Sequence, residues 1–409
     1  MDKQDRRDFI KLLVGQTISN VGSGITGIAL PLTAVLVLAA SPLQMGILSA
    51  LDGLAALAFG LLAGVWVDRL RRRPIMIAAD LGRMALLGSI PLAALLGSLH
   101  LAQIYLVAAS AAILTIFFRV ANESFLPTLV PPEQLVEANS KIGTSDALAE
   151  IVGPASAGPL VQLIGAPFAL LFDAGSFLCS ALSIWLIRKP EPQPIREEQR
   201  ASAWRESIAG LRIVRENELL RALAISAATF NFFGNFVGAL YILYVVRELH
   251  APPFITGLLV AAGGVSALIG TLLARRVIRR LGTGFSIGAM LFLYGLTGLL
   301  TPLASGPLAL AIAMLFSAQL LGDASVAIYF IAEVSLRQAI IPNAYRGRVN
   351  ATMQFLSQGV APVAALMAGI LGTAIGLRLT ILMGVLGVML AGALLLLSPV
   401  RGVHEHTLQ

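Results

Sequence analysis

In this sequence of 409 residues, the side chains placed to do chemistry are acids set inside apolar runs. Asp146 and Glu150 stand four apart, on one face of a helix. Two carboxyls one turn apart in a low dielectric repel as anions, an arrangement that suits holding and releasing a proton. Asp52 and Asp323 each lie alone in an apolar run, Asp323 within Gln319-Leu-Leu-Gly-Asp-Ala-Ser. A lone charge at the centre of a bilayer costs roughly 2.5–3.5 kcal/mol on insertion scales, so such acids are functional candidates by default. These four are the candidates for coupling to protons. Asp146 could instead pair at headgroup level with Lys141 or Arg83, and Asp173 reads as a cap near the outer end of its segment. Arg119 and Glu123 are also four apart and can pair along a helix, and Glu123 could join the arginines around Asp68. No Gly-x-x-x-x-Gly-Lys-Ser/Thr loop is present, so nucleotide hydrolysis is not expected. His100, His250, His404 and His406 lie at segment edges or in the tail and Cys179 is alone, so neither a metal centre nor an internal disulfide is expected.

The elements that position these residues are membrane spans. Hydrophobic residues make up 57% of the chain, charged residues only 12%, and the mean hydropathy is +0.84. A soluble domain carries about twice that charged fraction. The net charge of +7 reads as basic loops facing anionic lipid rather than as a nucleic-acid surface. Apolar runs predict twelve spans. Between the sixth and seventh lies the longest polar stretch, opening with Lys189-Pro-Glu-Pro-Gln-Pro, and its Trp204 to Arg215 portion has the spacing of a surface helix. Arginines concentrate in the even-numbered connections, which places both termini and the linker on the cytoplasmic side of the plasma membrane.

The chain is also duplicated. A shift of 211 residues carries Asn20 onto Asn231, Pro42 onto Pro253, Gly46 onto Gly257, Gly53 onto Gly264, Asn139 onto Asn350, Gly158 onto Gly369 and Gly165 onto Gly376. One offset serves nearly the whole length, so the halves share loop lengths. The expectation is an all-α membrane protein of twelve transmembrane helices: residues 1–187 as one six-helix half, 188–218 as linker, and 219–409 as the second half. A pseudo-two-fold axis would relate the halves, with substrate bound between them near the bilayer midplane.

Between the second and third segments stands Gly64-Val-Trp-Val-Asp68-Arg69-Leu-Arg71-Arg72-Arg73. Its Gly-x-x-x-Asp-Arg-x-x-Arg-Arg pattern, with the two six-span halves, resembles the major facilitator superfamily. Leu126-Pro-Thr-Leu-Val-Pro-Pro-Glu-Gln-Leu-Val-Glu-Ala-Asn139 and Gly153-Pro154-Ala-Ser-Ala-Gly158 look like its bacterial drug-efflux branch, which includes macrolide exporters and the enterobactin exporter. The resemblance implies a conformational latch at the cytoplasmic side made by Asp68 with Arg69, Arg72 and Arg73, Asp68 docking near Asn350; by their spacing Arg119 and Glu123 could join it, although Arg119 lies too close to the cytoplasmic end to match the family's arginine in the fourth segment. The chain departs from the family pattern at Arg71 and Ala149, where glycines are usual, and at Arg279, the counterpart of Asp68.

Asn20 and Asn231, repeat-related, would face a central cavity, with Phe230, Asn235 and Tyr241 beside them in an aromatic-rich seventh segment. The same amides could simply bond neighbouring helices. The composite expectation is a secondary transporter, not an enzyme. It would export amphipathic organic compounds (drug, macrolide or siderophore-like) by proton-coupled alternating access, as a monomer in the lipid bilayer, without a cofactor other than the proton motive force. A lipid transporter or a uniporter of the same fold is the alternative.

Overall fold

The computed structural model describes residues 3–191, 211–342 and 345–403, with the backbone alone given for Lys3, Leu61 and Asp68. Among these residues there are helices and turns but no strand, and twelve helices are long and apolar enough to cross a membrane. In chain order they are α1 (Lys3–Leu36), α2 (Pro42–Arg69), α3 (Arg72–Leu95), α4 (Leu101–Leu129), α5 (Leu135–Ile164) and α6 (Ala166–Trp185). Then come α7 (Glu218–Arg247), α8 (Pro253–Leu281) and α9 (Thr283–Gly298, continued by Leu300–Leu303). The last three are α10 (Leu308–Ile340), α11 (Arg346–Gln358 and Ala361–Ala374, about a break at Gly359) and α12 (Leu377–Leu396). Even the shortest of the unbroken helices, α6 and α12 at 20 residues, reach about 30 Å at 1.5 Å per residue. Of the linker stretch expected as a surface helix, 211–216 is helical and the rest lies outside the described residues, as do His404 and His406.

Helices are dictated here because a chain in hydrocarbon must satisfy its own backbone polar groups. Leu95, Leu106, Leu272 and Leu397 are more than half exposed, as lipid-facing side chains are. The backbone carries the duplication into the structure. Ala39 (φ 51°) and His250 (φ 53°), the two non-glycine residues with positive φ among those described, are 211 positions apart (250 less 39). Gly165 and Gly376 share that offset and the same φ of 89°, and each is the residue immediately before a helix, Gly165 alone between α5 and α6 and Gly376 after Ile375 between α11 and α12.

Contacts divide the chain into two compact units. The first comprises Met1–Ser41, Leu51–Glu197 and Pro252–Ala261, and the second Pro42–Ala50, Glu198–Ala251 and Ala262–Gln409. The first has a core of Phe9, Leu12, Val67, Met76, Phe125, Leu129 and Ile184. Its α1 packs on α5 and α6, and α3 on α4 and α6. In it Gly158 and Gly257 meet backbone to backbone, a Cβ on Gly257 falling 2.7 Å from the Gly158 nitrogen. The second is centred on Leu220, Leu223, Ile287, Leu291, Tyr329, Leu336, Met353 and Leu395, with α7 against α12 and α9 against α10 and α12. There Gly46 meets Gly369 in the same way, a Cβ on Gly46 falling 2.8 Å from the Gly369 Cα. Such contacts need small residues, because without a hydrophobic force between spans close backbone approach supplies the attraction.

Candidate functional site

Polar side chains of the first unit form a seam along α1. Gln16, Thr17 and Asn20 share a helical face and each meets another helix. The Gln16 amide donates to the Asn122 carbonyl oxygen on α4. The Thr17 and Ser145 hydroxyls share a 2.6 Å hydrogen bond, and Asn20 Nδ2 donates to Asp146 Oδ1 at 2.7 Å. Asp146 is thus tied to α1, and Glu150, one turn further along α5, is exposed.

In the second unit the acid is Asp323 on α10. Its carboxylate lies directly over Gly263 of α8, where any side chain would displace it, and Gln319 Nε2 lies 3.3 Å from the same point. Tyr241 on α7 and Tyr294 on α9 are within electrostatic reach of Asp323. The Tyr241 hydroxyl is buried with no hydrogen-bond partner among the described residues. Phe230 packs edge-on against Tyr294 at 5.9 Å and against Tyr329 and Phe330 at 5.8 and 6.0 Å. The result is an acid at the border of an aromatic cluster, a setting that can hold a proton or attract an organic cation. Asn231 and Asn235 spend their amide protons on their own helix, donating to Ala227 O at 2.9 Å and Asn231 O at 2.7 Å. Glu333 is buried one turn from Arg337, with 3.4 Å between them.

The arginine-rich connection is engaged within the first unit. Arg73 Nε donates to Ile184 O at 3.1 Å and its guanidinium also reaches Trp185 O, capping the carboxyl end of α6. Glu191 accepts the Arg72 and Arg73 backbone N–H groups at 2.6 and 3.2 Å, placing a carboxylate at the positive end of α3. Asp8 likewise accepts the backbone N–H groups of Arg188 and Lys189, at 3.1 and 3.0 Å, and the Lys11 ammonium at 2.7 Å. Asp68 ends α2, and its side chain lies outside the described residues. Arg69, Arg119, Glu123 and Asp52 are exposed, and no ion pair joins Arg119 to Glu123 among the described residues.

The structure adds a cluster that the sequence reading passes over. Arg83 forms an ion pair with Asp80 one turn earlier on α3, both buried, and stacks on Phe118 and Phe177 at 4.6 and 4.1 Å. Asp173 on α6 is buried rather than capping the helix end, and it accepts from the Thr26 hydroxyl at 2.5 Å and the Ser176 hydroxyl at 3.0 Å. The available signal is the i, i+3 spacing of Asp80 and Arg83 inside an apolar run. No group of three or more His, Cys, Asp or Glu is placed to hold a metal among the described residues.

A duplicated twelve-span bundle with acids in its interior is the architecture of a secondary transporter. The model of the Major Facilitator Superfamily matches residues 12–365, and the chain belongs to that superfamily. It is similar to the multidrug efflux pump Tap of Mycolicibacterium fortuitum, at 26% identity over 98% of this chain and 97% of that protein. It is similar too to macrolide efflux protein A of Streptococcus pyogenes, at 25% identity over 70% and 73% of the two chains. Among solved structures, a bacterial homologue of the iron transporter ferroportin, in an inward-facing state, superposes with a TM-score of 0.76 at 20% identity, over 95% of this chain and 98% of that one. The protein is therefore a multi-pass membrane transporter and not an enzyme.

Proposed function

We propose that this transporter exports amphipathic organic compounds by alternating access, in exchange for protons moving inward. The observation that carries this reading is Asp323, an acid set among Tyr241, Tyr294 and Gln319 beside the rings around Phe230. Export requires that one group bind proton and substrate in competition, and an acid bordering an aromatic cluster meets that requirement for an apolar compound with a basic centre. The similarity to Tap and to macrolide efflux protein A supports efflux of drug-like molecules. Asp146, held by Asn20, is the second candidate for coupling, ahead of the exposed Glu150 and Asp52. Asp68 with Arg69, Arg72, Arg73, Arg119 and Glu123 is proposed to latch the cytoplasmic side, where both termini lie. The working unit is a monomer with no bound cofactor.

The test uses purified protein in vesicles with an imposed pH gradient and a macrolide and a lipophilic cationic dye as probes. Wild type should accumulate one of them against its gradient. Asp323→Asn should lose that accumulation while still binding the probe in detergent. If no compound that binds is moved by the pH gradient, antiport gives way to uniport or lipid transport. If Asp323→Asn accumulates the probe as wild type does, Asp323 has no part in coupling.

A further inference from the structure

The buried cluster on α3 and α6 is not needed to build the fold, because the second unit makes the same contact without it. Adding 211 to each position converts Asp80, Arg83, Asp173, Ser176 and Ser180 into Leu291, Tyr294, Gly384, Gly387 and Ala391. On the facing helix, Gly22 and Thr26 become Phe233 and Val237. The packing is complementary in both. In the first unit the Asp173 and Ser176 side chains lie directly against Gly22, a Cβ there falling 2.6 Å from Asp173 Oδ1. In the second unit the Phe233 ring covers Gly387, and Val237 lies 3.2 Å from a Cβ on Gly384. One helix pair thus closes with a ring against glycines, its repeat with acids and hydroxyls against a glycine. A buried ion pair is commonly no more stabilising than well-packed apolar side chains, so the first unit carries charge that its packing does not call for.

Charge balance says what the cluster is for. It holds two carboxyls and one guanidinium, and Arg83 is within electrostatic reach of both Asp80 and Asp173. Exposure is 0% for Asp80, 4% for Arg83 and 1% for Asp173, so solvent does not balance the second carboxylate. Arg83 Nε is buried without a hydrogen-bond partner among the described residues, and beyond Arg83 the Asp80 carboxyl has only the neutral Ser180 hydroxyl of α6 near it. No other charge of the packed helices acts on either acid. From α4 come Thr115, which accepts from Arg83 at 3.3 Å, and the Phe118 ring; from α1 comes Thr26. On α5, Asp146 is bound to Asn20 and Glu150 is exposed, as are Arg119 and Glu123 on α4. A neighbouring guanidinium repels a metal cation, and a carboxyl without counter-charge in low dielectric is satisfied by a proton.

We propose that Asp80, Arg83 and Asp173 form a proton-binding site, in which Arg83 is the shared counter-ion of two acids and the proton occupies whichever acid the guanidinium leaves. The depth of the two acids supports this. Asp80 is eight residues from the start of α3, about 12 Å, and Asp173 seven residues from the start of α6, about 10 Å. These helices run in opposite directions, since Arg73 at the start of α3 bonds Ile184 and Trp185 at the end of α6. The acids therefore straddle the middle of a core about 30 Å thick, one nearer each face. A guanidinium that moves from Asp80 to Asp173 transfers the proton-accepting acid from one side to the other. Its use in transport rests on the proton-coupled reading above, whereas proton binding itself does not.

Infrared difference spectra of the reconstituted protein between acid and alkaline pH test it. Wild type should show a protonated-carboxyl band that Asp80→Asn and Asp173→Asn each alter and that Glu150→Gln and Asp323→Asn leave in place. A second variant transplants the apolar contact: Gly22→Phe, Thr26→Val, Asp80→Leu, Arg83→Tyr, Asp173→Gly, Ser176→Gly and Ser180→Ala. It should fold, bind substrate and exchange it across the membrane at equilibrium, yet lack the band and any drive from the pH gradient. A band present in wild type and lost in these variants upholds the site even if no pH-driven transport is found, in which case the antiport reading alone fails. A band unchanged by either Asp→Asn variant, or retained by the transplant, overturns the proposal, whereas pH-driven transport by the transplant equal to wild type removes only the site's use in transport.

Discussion

Arg73 and Glu191 answer opposite ends of two helices, one a cation among the last carbonyls of α6 and the other an anion at the first N–H groups of α3. Both contacts follow the helix dipole and satisfy groups that the helices leave unpaired. Hydrogen bonds to charged groups are worth about 1.5–3 kcal/mol. Arg73→Ala should therefore destabilise the purified protein by roughly that amount, and the exposed Arg71→Ala by less than about 0.5 kcal/mol, read as thermal unfolding in detergent. Equal shifts for the two variants would reduce Arg73 to a topology signal. At this scale the sequence is a partial guide. The acids in apolar runs, Asp146 and Asp323, are visible as such, and Asn20 as a polar group in a span. That Asn20 would donate to Asp146 is not visible, since the two lie on helices far apart in the chain. Asp173 misleads for the same reason: along the chain it stands near the outer end of its apolar run, and only the packing of α1 on α6 supplies Thr26 and Gly22.

At the scale of elements, span lengths and the duplication are legible because both are written in local pattern: apolar runs of fixed minimum length, and recurring Gly, Pro and Asn. The break of α11 at Gly359 is not, nor is the detail of the turns. Gly165 and Gly376 show why a repeat-related glycine matters at one place in each half. Each is the residue immediately before the following helix, at φ 89° with ψ of 152° and 162°, a conformation open essentially to glycine alone. A Cβ on Gly376 would meet nothing within 4 Å. The penalty of Gly376→Ala is thus one of backbone alone, about 1–3 kcal/mol, and should appear as a lowered melting temperature with unchanged substrate affinity. Gly402→Ala, also with open space but without positive φ, is the control and should cost less. A stability of Gly376→Ala equal to that of the control would mean the turn relaxes to another conformation.

At the scale of the molecule, each compact unit includes a short segment from the other half of the chain. Pro42–Ala50 belongs with the second unit and Pro252–Ala261 with the first, and these stretches are themselves related by the 211-residue shift. Their glycines make reciprocal contacts, Gly46 with Gly369 and Gly257 with Gly158, and the partners are again repeat-related. A side chain on Gly46 would fall 2.5 Å from the Ala365 carbonyl oxygen and 2.8 Å from the Gly369 Cα, both backbone atoms that a rotamer change cannot clear. Overpacking of this kind costs about 1–3 kcal/mol, which multiplies the ratio of competing conformations by roughly 5 to 150. Gly46→Val should therefore populate states in which α2 and α11 separate here. Spin labels at Leu43→Cys and Val363→Cys, in a Cys179→Ala background, would report the change as a longer distance component absent from the parent. Gly60→Val on the same helix, with nothing within 4 Å of its Cβ, should leave the distribution as it is. If Gly46→Val also leaves it unchanged while the protein remains folded, the glycine contact sets no balance between states.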